Sequence, residues 1–256
     1  MNETPVLSGT PVQPTAAAGR ETHGDLEPHA RGLADRLNGL RAGVLGANDG
    51  IVSVAALAVG VAGATPQLAP VLTAGLAGLV GGAVSMALGE YVSVSSQRDS
   101  ERALIVLEAA ELAATPEAEL DELTELYAAR GLSPATARLV AEELTARDAL
   151  AAHLDAELGI DPDHLVDPWR AARASAAAFV LGGLLPLLAV LLLPLEARVA
   201  GTAAVVLLAL AGTGAAGARL GGSTALRPTL RVVLGGALAL AATYALGRLL
   251  GTTVLG

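Results

Sequence analysis

The sequence predicts an all-α, polytopic membrane protein with five transmembrane helices and a three-helix cytoplasmic domain inserted between the second and third. Three observations carry that prediction. The 256 residues are 53% hydrophobic with only 2% aromatic, at a mean hydropathy of +0.56. Soluble domains avoid that combination, whereas closely packed membrane helices favour its Ala, Gly, Leu and Val. Five runs, 42–64, 70–96, 171–193, 199–218 and 232–250, each supply the roughly 20 apolar residues needed to cross hydrocarbon. Between the second and third, residues 96–170 hold 17 of the 25 acidic residues against six of the 16 arginines, too many charges for a span.

The elements follow in order. Residues 1–39 are polar, dotted with Pro, Thr and Gly, and read as a disordered cytoplasmic tail. Residues 40–96 carry the first two spans, and the second helix is expected to continue out of the membrane until Thr115-Pro116. A helix opens there, with Thr115 as N-cap and Pro116 at the first helical position, and stops at Gly131. Another opens at Ser133-Pro134 and closes at Gly159. These make up the acidic domain, 97–170, and residues 171–256 return to the membrane with three more spans. Pro186 falls inside the third span, where a neighbouring helix can satisfy the carbonyl it frees.

Orientation follows from the arginines. Arg20, Arg31, Arg36 and Arg41 precede the first span, and Arg219, Arg227 and Arg231 lie between the fourth and fifth. The opposite ends carry little beyond Arg198 and Arg248. The positive-inside rule then puts the N-terminus and the acidic domain in the cytoplasm and the C-terminus outside. All basic residues are arginine, with no lysine. This suggests a GC-rich bacterial genome and hence a bacterial inner membrane.

Composition also excludes. There is no cysteine, so thiolate sites, disulfides and thiol redox chemistry are ruled out. The net charge of −9 makes nucleic acid an unsuitable partner. No HExxH, no Ser/His pairing and no phosphate-binding loop supports an enzyme.

Glu108 and Glu111 are spaced i, i+3, as are Glu119 and Glu122, and His153 and Glu157 are spaced i, i+4. Each pair shares a helix face and can share a cation. Carboxylates with an imidazole suit Fe²⁺ or Mn²⁺. Spacing alone favours an ordinary solvated face. The excess of acids over arginines shifts the reading to cation binding, because unneutralised charge of one sign repels itself.

Asp49, in RAGVLGANDGIVSVAALAVG, lies inside the first span, where a carboxylate is costly and marks an ion or proton path. The plainer alternatives are a headgroup-level position or the cap of a broken helix. Met86 can present a thioether to a path or simply fill space. Glu90, one turn on and on the same face, is either a gate ligand or an interfacial charge. Glycines 75, 78, 81, 82 and 89 permit close helix approach, as at a dimer seam.

LGANDGIVSVAAL, AVSMALGEYVSVSSQRDSE, the Glu-rich insert and DPWRAARASAAAFVLGGLLPLL, in this order and separation, resemble the vacuolar iron transporter family along nearly the whole chain after the tail. The resemblance implies a homodimer of five-helix subunits with a cytoplasmic metal-binding domain. It also implies export of Fe²⁺, and of Mn²⁺, from the cytoplasm in exchange for protons, with the metal as bound and transported ion and no prosthetic group. The family's intramembrane aspartate and methionine fall on Asp49 and Met86. Its glutamates fall on Glu108, Glu111, Glu119, Glu122 and Glu157. Eukaryotic members carry methionine where this chain has His153, and glutamate where it has Gly78. A membrane-anchored metal buffer or sensor that binds without transport is the alternative expectation.

Overall fold

The computed structural model describes residues 28–162 and 165–253, with side chains described over 43–162 and 165–252. Most of the expected tail, residues 1–27, lies outside that range. The described residues form seven α-helices: α1 Pro28–Ala64, α2 Leu68–Ala114, α3 Pro116–Ala129, α4 Pro134–His153, α5 Pro168–Leu192, α6 Leu195–Leu220 and α7 Leu226–Thr253. A π turn, Leu154–Leu158, follows α4 directly. Segments of α1, α2, α5, α6 and α7 are long and apolar enough to cross a membrane.

Helix α1 begins at Pro28, inside the stretch expected to be unstructured up to about Gly39. Proline is pre-set for the first helical position, and the Ala-, Arg- and Leu-rich residues that follow propagate a helix well. Helix α2 has 47 residues and is therefore about 70 Å long, more than twice the roughly 30 Å of hydrocarbon. Its second half leaves the membrane and becomes the first helix of the acidic domain.

Helix α1 is the centre of the membrane part, packed against α2, α5, α6 and α7. Ile51, Ala55 and Val59 meet Val206 and Leu210 of α6 and Leu240 of α7. Val54 meets Leu79, Phe179 and Leu187, and Ala58 meets Val71 and Val190. Glycine decides how close the backbones come. A Cβ on Gly182 of α5 would strike the Ala47 carbonyl, and one on Gly247 of α7 would strike the Gly60 carbonyl. Lipid supplies no hydrophobic drive between helices, so such small-residue seams give adhesion through close packing.

The acidic domain has its own small core of Leu123, Ala141 and Ala156, flanked by Leu120, Leu126 and Tyr127. Ser133 caps α4 by accepting from the Thr136 N–H at 3.3 Å. Thr115 stands at the N-cap position of α3 but makes no side-chain cap bond. Its hydroxyl instead donates back to the Glu111 carbonyl. Helix α4 breaks at Asp148, which is extended (φ −163°, ψ 96°). The Asp148 carboxylate accepts from the Ala151 N–H at 3.0 Å and so caps the segment that carries His153. Gly159, at φ 64°, ends it.

Replacing Gly182 with Ala should destabilise the purified protein by about 2 kcal/mol, the cost of overpacking a closed seam. Gly212→Ala, where an added Cβ meets nothing within 4 Å, should be neutral or slightly stabilising. Thermal unfolding of both variants in detergent checks the contrast.

Candidate metal centre

Three helices each contribute one candidate ligand. Glu108 comes from the membrane-distal part of α2, Glu119 from the first turn of α3 and His153 from the last residue of α4. The reversal at Thr115-Pro116 folds α3 back along α2, and the Asp148 cap aims the end of α4 between them. All three are buried, at 4%, 8% and 0% exposure. His153 Nδ1 lies 3.0 Å from Glu108 Oε1 and 3.9 Å from Glu119 Oε2. One donor atom from each residue falls within 4.8 Å of the others.

The close approach of His153 to Glu108 lacks hydrogen-bond geometry, leaving Glu108 Oε1 and both ring nitrogens buried without a hydrogen-bond partner. Each such orphan ordinarily costs about 1–3 kcal/mol. A cation bound between them would satisfy the carboxylate oxygen and one nitrogen together. Two carboxylates and an imidazole are a donor set for a divalent first-row metal.

Glu111, Glu122 and Glu157 are exposed around this centre. Burial, then the charges of Glu157, Glu119, Glu111 and Glu122, push the Glu108 carboxyl up to about 7. Glu157 is also raised, first by partial desolvation and then by Glu122, with His153 opposing. The structure brings members of the three expected pairs together between helices. One member of each pair turns inward and the other stays at the rim. Two residues position the end of α4 and its π turn. Asp148 before a run of helix formers is an N-cap pattern, and Arg130, whose guanidinium donates to the Ala156 carbonyl, braces the π turn against the end of α3.

In the membrane part, Asp49 is half-buried on α1 and accepts a hydrogen bond from Ser53 Oγ at 2.7 Å. Its neighbour Asn48 turns towards α6, where Oδ1 accepts from the Thr213 hydroxyl. Met86 is half-buried and packs against the Val54, Leu79, Phe179 and Leu187 cluster. Helices α1 and α2 are antiparallel. Gly78 faces Leu57 and Gly75 approaches Ala58, and continuing that register brings Asp49 level with Met86. Glu90, also half-buried, follows one turn nearer the acidic domain. The five-glycine stripe of α2 divides in two. Gly75, Gly78 and Gly82 lie against Leu187, Leu57 and Phe179 of the same chain, whereas an added Cβ on Gly81 or Gly89 meets open space.

Residues 40–248 match the family model described as the VIT family. The chain belongs to the VIT family. Curated relatives agree along most of their own length. A vacuolar iron transporter of Acanthamoeba castellanii is 47% identical over 209 residues, covering 81% of this chain and 77% of the relative. Vacuolar iron transporter homolog 1 of rice is 40% identical, covering 84% and 75%. Homolog 2.1 of Arabidopsis thaliana is 35% identical, covering 86% and 85%. The VIT match spans all five apolar helices and the acidic insert together.

A carboxyl whose folded pKa is raised contributes stability below its unfolded value of 4.5, and that contribution is lost as pH rises through about 7. Metal-free protein should therefore melt at progressively lower temperature between pH 5 and pH 8. Glu108→Gln, a neutral isostere, should flatten that slope. Thermal melts of chelator-treated protein across this range provide the check.

Proposed function

We propose that this VIT-family chain exports Fe²⁺, and also Mn²⁺, from the cytoplasm in exchange for protons. The observation that carries the reading is the buried Glu108–Glu119–His153 centre with its orphaned donor atoms. It is built on the same continuous helix that carries Glu90 and Met86 in the membrane. The Arg-rich loops support a cytoplasmic acidic domain, and the Lys-free composition supports a bacterial inner membrane. The names of the curated relatives support iron as the cargo.

In this mechanism the exposed carboxylates Glu111, Glu122 and Glu157 attract hydrated cations by their summed field. The buried centre exchanges ligand atoms for water, and Glu90, Met86 and Asp49 carry the ion inward and across. Proton uptake by a membrane carboxylate releases it on the far side. Asp49 lies on a face of α1 where Leu45 and Leu57 are 62% and 46% exposed. An ionisable group facing hydrocarbon is costly, so the proposal includes a homodimer in which a second copy covers this face. The alternative, a membrane-anchored buffer or sensor, needs the acidic domain but not Asp49.

Protein reconstituted in liposomes should admit Fe²⁺ to a trapped fluorescent chelator, faster with an opposing proton gradient. Asp49→Ala should abolish that flux while the acidic domain still binds metal. Flux retained by Asp49→Ala would remove Asp49 from the mechanism. Binding without flux in the unmodified protein would establish the buffer or sensor instead.

A further inference from the structure

We infer that Ser53 is a second oxygen ligand of the intramembrane site, gripping the cation together with Asp49; this rests on the reading of Asp49 as a transport residue. A serine inside a membrane helix ordinarily spends its hydroxyl on the carbonyl one turn back. Ser53 instead donates to the Asp49 side chain, with Oγ 2.7 Å from Oδ1. The hydroxyl hydrogen is committed to the carboxylate, and the oxygen's lone pairs remain available. Both residues are half-buried, and their i, i+4 spacing puts them on one face of α1.

The surroundings explain why none of α5, α6 and α7 covers this face. The Gly46 and Gly50 side of α1 is closed by α5, and the Ile51, Ala55 and Val59 side by α6 and α7. Asn48, hydrogen-bonded to Thr213 of α6, fixes the rotation that turns Asp49 and Ser53 away from those contacts. A cation reaching Asp49 thus meets a carboxylate and a hydroxyl oxygen side by side. The ion displaces the hydroxyl hydrogen from its bond to Oδ1, the O–H turns outward, and both oxygens coordinate. Such a hard, mixed oxygen pair suits Fe²⁺ and Mn²⁺ over softer ions.

Transport of Mn²⁺ and Cd²⁺ by full-length protein in liposomes distinguishes a ligand from a structural residue. Ser53→Ala should raise the Mn²⁺ KM about tenfold, the loss of one modest ligand interaction, and Ser53→Thr should restore it. Ser53→Cys should move preference towards Cd²⁺ by about tenfold, because a soft thiol replaces a hard oxygen. Mn²⁺ binding at the acidic domain, unchanged in all three, verifies folding. Unaltered Ser53→Ala kinetics, or an unchanged Cd²⁺-to-Mn²⁺ ratio in Ser53→Cys, would overturn the assignment while leaving Asp49 in place. Equal losses in the Ala and Thr variants would do the same and mark Ser53 as structural. Flux persisting in Asp49→Ala would instead overturn the reading on which the assignment rests.

Discussion

The membrane part depends on how closely α1 can approach its neighbours. Gly50 and Gly182 let α1 and α5 touch backbone to backbone, and Gly60 and Gly247 do the same for α1 and α7. These contacts leave no freedom to rotate α1 without a clash. The rotation they fix buries Ile51, Val54, Ala55 and Ala58 and leaves Asp49 with Ser53 on the remaining face. An ionisable group inside a membrane helix is costly unless something polar meets it, so the seam that closes the bundle also dictates where a polar contact to α1 is needed.

The second constraint is electrostatic. Five carboxylates gather around the centre, and burial together with the charges of the other four raises the titration of Glu108. Some of the domain's acids are neutralised locally: Arg138 pairs with both Asp121 and Glu142. These pairs lie on the outer surface of α3 and α4 and leave the centre alone. The domain thus separates acids paired for structure from acids whose repulsion is relieved only by protons or by a cation. Protons and a metal would compete for the same oxygens, so a cation would bind best when the pH is at or above the raised Glu108 value.

Much of this was legible in the sequence because the signals are local. Twenty-residue apolar runs, Pro at a helix start and Gly at a helix end depend on neighbouring residues alone, and the spans, the α2 extension and the α3 and α4 starts all follow from them. The glutamates of the centre were legible through the resemblance, and His153 through its i, i+4 spacing to Glu157. Their grouping was not, because i, i+3 spacing describes one helix and the centre is made between three. The Asp148 break is the hinge of that difference, since it re-aims His153 by abandoning helical geometry at one residue. The helical start at Pro28 was missed for the opposite reason: the polar composition of 1–39 hid a segment of adequate helix propensity.

The transport mechanism we propose demands that neither of its two sites bind too well. The acidic centre offers three buried donor residues and a rim of exposed carboxylates. The apolar spans offer fewer charges still: Asp49 lies within the first of them, and Met86 and Ser53 are neutral. A strongly charged membrane site would trap a divalent ion in a medium that barely screens it. One carboxylate with neutral oxygen and sulfur neighbours lowers the barrier to entry while keeping the well shallow. In the mechanism we propose, this fall in acidity from domain to membrane suits passing the ion on, with capture at the crowded carboxylates and release at the sparse ones.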